Sequence, residues 1–177
     1  MKRCCEGYLS NLFSFWSSWL AQDVFIKIDS INGESQDTSH LNEIDVIGWR
    51  WQISQPGTMH SGSGGGAGKA TVSDLEFTHV LDRASPNLAR FCFTGQHIPE
   101  AKLTMRKSGG IPHEYARITM YDVIISRVES VGSGEHCYEQ VRLSFARIKH
   151  EYVLQNAKGG SGGVVTAIID IKANQLA

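Results

Sequence analysis

The sequence predicts a mainly β domain, a β-barrel or sandwich with one short α-helix packed outside it. Three observations carry that expectation. Apolar and polar residues alternate along most of the chain from residue 23 onward. Only one internal stretch, from Ser85 to Gly95, carries the start and stop signals of a helix. Between two strand-like runs lies a glycine-rich segment, residues 55–69. It is longer than the two to five residues or so that usually close a hairpin.

Taken in order, residues 23–29 place Val24, Ile26 and Ile28 on one face of a strand. Asn32-Gly33 then offers turn chemistry. Within residues 43–54, Ile44 and Val46 share one parity, whereas Ile47, Trp49, Trp51 and Ile53 share the other. That switch predicts a bulge or a strand buried on both faces. Residues 69–78 resume the alternation. For the helix, Ser85 is the expected cap, Pro86 suits the first helical position and Gly95 ends it. Leu88, Phe91 and Cys92 form its inward stripe. Further strands are predicted over 101–107, 115–128, 138–154 and 164–172, separated by Gly109-Gly110, Gly132–134 and Gly159–163.

Several of these strands are apolar on both faces. Ile118, Met120, Ile124 and Val128 lie on one parity, and Tyr115, Tyr121, Val123 and Ile125 on the other. A lone small barrel turns polar residues outward, so the extra apolar surface predicts a partner and hence an oligomer. The glycine-rich segment reads as a contact loop, because Met59 and His60 are handles that a spacer does not need.

Composition narrows the function. The 177 residues carry Lys+Arg 17 against Asp+Glu 18, a formal net charge of −1. That balance excludes the large basic field that nucleic-acid binding requires. Cys4, Cys5, Cys92 and Cys137 form no Cys-x-x-Cys pair and no disulfide framework, which predicts folding in a reducing compartment. Residues 1–20 are expected to be an N-terminal extension, disordered or the product of an upstream start site, before a domain over 21–177. Ser10, Ser14 and Ser17 interrupt its apolar run too often for a signal peptide or a membrane span.

The search for chemistry returns nothing that acts alone. Gly62–Lys69 approaches a phosphate loop, but Ser63 and Ala70 stand where glycine and a hydroxyl are needed, and a strand follows. His40, His60, His79, His97, His113, His136 and His150 lack zinc-ligand spacing, and surface or turn positions are expected for them. Asp82 is expected to support the helix start and Arg83 to pair with a neighbouring carboxylate. Cys92 is expected to pack as a small hydrophobe, and Trp49 and Trp51 to pack in the core. No catalytic, cofactor or metal site is predicted.

Ordered blocks across residues 21–177 resemble the hemolysin-coregulated protein (Hcp) family of type VI secretion systems. They include Asp23-Val-Phe-Ile-Lys-Ile-Asp29 with Gly33-Glu34-Ser35, Trp49-Arg-Trp51, and Thr58-Met-His60 with Gly62-Ser-Gly64 and Gly68-Lys69. Asp82-Arg-Ala-Ser-Pro-Asn-Leu88, His97-Ile-Pro99, Met105-Arg-Lys107 with Gly109-Gly110, Glu151-Tyr-Val153, Gln155-Asn156 and Lys172-Ala-Asn174 follow. Residues 129–138 match a variable region of the family and carry nothing over. Relatives typically start near Ala21, with methionine where this chain has Leu20.

The resemblance implies a two-sheet β-barrel with one flanking helix and a long extended glycine-rich loop. It further implies a non-enzymatic subunit whose six copies close into a ring, with rings stacking into the inner tube of the secretion system. The implied partners are further copies of the chain, the spike, the contractile sheath, the baseplate and small effector proteins carried in the lumen. The implied location is secreted, after assembly in the bacterial cytoplasm and export without a cleaved signal peptide, with no stable membrane insertion. No toxin domain of the kind some relatives bear is expected at the C-terminus. Gln55, Thr58, Met59, His60, Gly62, Gly64 and Lys69 are assigned to ring stacking. Two other readings compete: a monomeric β-barrel binding a small apolar ligand inside, and an enzyme whose site is assembled only in space.

Overall fold

A computed structural model describes residues 22–55, 57, 69–107, 112–133, 136–156, 160–173 and 175–176. The elements are β1 (Gln22–Ile28), β2 (Ile44–Asp45), β3 (Gly48–Arg50), β4 (Ile53–Ser54), β5 (Thr71–Val72), β6 (Leu75–Val80) and α1 (Ser85–Thr94). They continue with β7 (Ile98–Lys107), β8 (His113–Ser133), β9 (His136–Gln155), β10 (Ser161–Asp170) and β11 (Gln175–Leu176). The glycine-rich loop beyond its base and residues 1–21 lie outside the described set.

The β8–β9 hairpin is the spine. Toward the open end of the hairpin, β8 pairs with β7 and β9 with β10, and β7 pairs with β1. Toward its turn, β9 pairs instead with β6, which pairs with β3. The hairpin therefore serves two layers, and it must bend to do so. Asp122 adopts a positive φ of 53°, a conformation that a short polar side chain tolerates. Close by, the β8–β9 register shifts between Ile125 and Arg127. Bulges of this kind bend a strand and raise its twist. Ser126, at the shift, donates its hydroxyl to Asp74 at 2.6 Å.

The expected barrel is not closed by strand pairing. Among the described residues, β2 pairs only with β1, and β3 only with β6. The chain itself crosses the gap: the Val46 amide donates to Val24 O at 2.9 Å and the next amide, Ile47, to Thr78 O at 2.8 Å. This step is the physical source of the parity switch. Val46 points into the core, whereas Ile47 is 58% exposed. The single strands expected over 43–54 and 69–78 are broken into short pieces. Around the second break, Ser73 N–H donates to Gln52 O and Gln52 N–H to Ser73 Oγ, so side chain replaces ladder.

The core fills the space between the layers. Ile26, Leu75, Phe77, Leu103, Met120 and Leu143 are buried there, joined by Leu88 and Phe91 of α1. Each such side chain contributes about 1.5–3 kcal/mol. Trp49, Trp51 and Cys92 pack partly buried against this core, as expected. The helix differs at its start. Ala84, not Ser85, occupies the cap position, and no side chain caps the first turn. Ser85 Oγ accepts from the Asp82 amide at 3.3 Å, and Asp82 Oδ1 accepts from the Ala84 amide at 2.9 Å. Pro86 lies in the first turn and Gly95 ends the helix at φ 62°, in the left-handed region that glycine favours.

Candidate assembly surfaces

Three regions outside the core concern function: the base of the glycine-rich loop, a cross-braced corner, and one exposed strand. The loop leaves β4 and returns in β5, a ribbon in which Ile53 faces Val72 and Ser54 faces Thr71. Gln55 and Lys69, the two assigned residues that bracket the loop, are exposed at that base. Thr58, Met59, His60, Gly62 and Gly64 fall outside the described residues. An apolar groove of about 290 Å³ separates the ribbon from β10 and β11, lined by Ile53, Val72, Ile169 and Ile171.

The corner comprises β1, β7 and residues 29–43. Arg106 donates to Asp37 at 2.6 and 2.9 Å and to Asp23 at 2.9 Å. The Arg106 hydrogen bond is the main cause holding the Asp37 carboxyl down to about 2. The same guanidinium lies 5.0 Å from the Phe25 ring centroid, and His40 stacks on that ring at 4.2 Å. His40 is in turn held by Glu43 at 2.9 Å and faces Glu114 at 3.5 Å. Gly33 completes the corner, because a Cβ there would collide with the Glu43 carbonyl oxygen. Among the described residues Arg83 pairs with no carboxylate, contrary to expectation; it donates to Gly33 O and Asn42 Oδ1, tying the helix start to this corner.

The histidines are less superficial than their spacing suggested. His40, His79 and His113 are buried. His79 lies 3.2 Å from Glu139 Oε2 and 3.8 Å from Asp82 Oδ1, and Ser130 donates to the other Glu139 oxygen at 2.7 Å. These contacts join β6, β8, β9 and the helix start. They are anchors, formed by residues far apart in the chain, and no local motif announces them. A polar groove of about 430 Å³ at Arg50, Asp74, Glu76 and Arg142 is likewise self-satisfied. Arg50 and Arg142 both donate to Glu76 Oε2, at 2.9 and 2.6 Å.

Strand β10 has the opposite character. It pairs with β9 along its length, but on its other edge, among the described residues, β11 covers only Ile169 and Asp170. Residues 162–167 are exposed, with Val164 at 52% and Val165 at 60%. Tyr152 and Leu154 of the adjoining strand are exposed as well. An uncovered edge that is apolar on both faces is a template for association.

The family model described as "Type VI secretion system effector, Hcp" matches residues 25–152. Protein Hcp1 of Pseudomonas aeruginosa is 48% identical over 147 residues, covering 81% of this chain and 91% of that protein. The crystal structure of Hcp1 from Salmonella typhimurium superposes with a TM-score of 0.72 at 46% identity, covering 89% of this chain and 99% of that one. A type VI secretion system effector from Yersinia pestis gives 0.70 at 41% identity, covering 84% and 99%.

Proposed function

The chain belongs to the Hcp family of type VI secretion systems, and we propose that it is a ring subunit of the inner tube. Six copies close head to tail, rings stack, and small effector proteins travel in the lumen. The role is structural and non-enzymatic, and the protein leaves the cell with the tube, without a cleaved signal peptide. The sheath, the spike and the baseplate are its partners within the machine. One observation carries the reading: the apolar edge of β10, exposed among the described residues, is a surface that a neighbouring copy can cover. The loop based at Gln55 and Lys69 supplies the contact between rings in this scheme.

The monomeric alternative needs space inside for its ligand. Phe77, Met120, Leu143 and Leu103 fill that interior instead. Multi-angle light scattering separates the two readings. A mass about sixfold the 19.5 kDa of one chain is expected. A particle of 19.5 kDa at all concentrations overturns the ring.

A further inference from the structure

The helix presents a second feature that the interior does not explain. Pro86, Ala89, Arg90 and Phe93 share its outward face and are exposed. Phe93 is 92% exposed, the extreme among the exposed large hydrophobic residues described. It sits one turn beyond Arg90, whose guanidinium rests 5.4 Å from the Phe91 ring and pairs with no carboxylate among the described residues. The helix thus ends in an aromatic knob beside a free cation.

A matching hollow lies at the other end of the same connection. Between β2, the step to β3, and the end of β6 is a groove of about 360 Å³. Its apolar lining is Ile47, Val80 and Leu81, all exposed, over buried Val46. Its charged lining is Glu34, Asp45 and Asp82, with no lysine or arginine among the described lining residues. Burial pushes the Asp82 carboxyl up; Glu34 adds to that rise, against the Ala84 amide and His79. Arg83, the nearest cation in sequence, is occupied at Gly33 and Asn42. Glu34 and Asp45 at the rim are therefore left without a cation among the described residues.

We infer that the groove receives Phe93 of a second copy of this chain, with Arg90 of that copy meeting the carboxylates. A knob and its own groove cannot meet in one molecule. Phe93 stands roughly 12 Å along a rigid helix from Ser85 and is almost fully exposed, so it does not fill the groove of its own subunit. Apolar burial supplies the attraction, and the Arg90–carboxylate contact sets the register. Each copy then offers one knob and one groove, a contact between unlike surfaces of the sort that rings and stacks require. This rests on the assembly proposed above and names one of its contacts.

Sedimentation velocity of the full chain tests it, beside thermal melting. Phe93→Glu and, separately, Arg90→Asp are expected to weaken assembly about tenfold or more with unchanged melting, since neither side chain supports the core. In a mixture, copies carrying Phe93→Cys and copies carrying Ile47→Cys should give an oxidised cross-linked dimer beyond what either gives alone. Assembly of Phe93→Glu at the wild-type strength, or failure of that cross-link, overturns the contact while leaving the ring intact. A wild-type chain that never assembles overturns ring and contact together.

Discussion

The corner around Arg106 and the strand β10 belong to one sheet and treat their side chains in opposite ways. At the corner, charges, rings and a glycine are committed to neighbours within the chain: Arg106 to Asp23 and Asp37, His40 to Phe25 and Glu43, Gly33 to the Glu43 backbone. Along β10, apolar side chains face solvent and, among the described residues, most of one backbone edge is uncovered. The first region holds the subunit together. The second is left for other molecules, and substitutions should separate the two roles cleanly.

The largest effect on the subunit itself is expected at the corner. Arg106→Met strands two carboxylates around a guanidinium position that is 11% exposed. Asp23 is 40% exposed and screened, which trims the loss to about 2–3 kcal/mol. Urea unfolding measures it, and a loss below about 0.5 kcal/mol would mean the corner does not brace the fold.

Acid should act through the same pair. The folded Asp37 carboxyl is held to about 2 against an ordinary 3.8, chiefly by Arg106. A depressed carboxyl stabilises the fold above its unfolded value and loses that contribution as pH falls through the folded one. Its share of stability is therefore present above about pH 4 and fades toward pH 2. The acid limb of a melting-temperature profile should be shallower in Arg106→Met than in the wild type. Identical limbs would detach Asp37 from the pair.

A smaller loss is expected at the helix end. Gly95→Ala forces φ 62° on a residue with a Cβ, into open space, at a cost of about 1 kcal/mol. Thermal melting reads this directly.

On β10 the stability change should nearly vanish while assembly collapses. Val165→Glu alters a residue 60% exposed, so melting should move by no more than about 0.5 kcal/mol. Light scattering should report a smaller particle, because a charge now sits on the edge. Removal of residues 57–66 should leave folded rings that no longer stack, judged by electron microscopy. Tubes of normal length would remove the loop from the stacking contact.

Much of the architecture was legible in the chain. Alternation located the principal strands, and Pro86 and Gly95 bracketed the helix within a residue or so. The blocks from Asp23 to Asn174 pointed to the family that the comparisons bear out. Local signals sufficed there because strand alternation and helix ends depend on near neighbours. Three local details came out differently for the opposite reason. Ser85 spends its hydroxyl on Asp82 instead of capping, the strand expected over 43–54 breaks at Val46-Ile47, and three histidines are buried, two of them beside carboxylates remote in sequence and His113 against the Val153 carbonyl. Each outcome depends on which segment arrives opposite, which near neighbours do not specify.

One row of the sheet makes the distinction concrete. Val24, Met105, Ala116, Tyr152 and Val165 stand side by side across β1, β7, β8, β9 and β10. The sequence by itself determined that each occupies a strand and that its side chain points to one face. Only the tertiary structure decided that Met105 is buried whereas Val165 lies open. The pleat sets direction, but burial requires a second layer overhead, and that layer covers the middle of the sheet and the Ile169 end of β10 without reaching Val165.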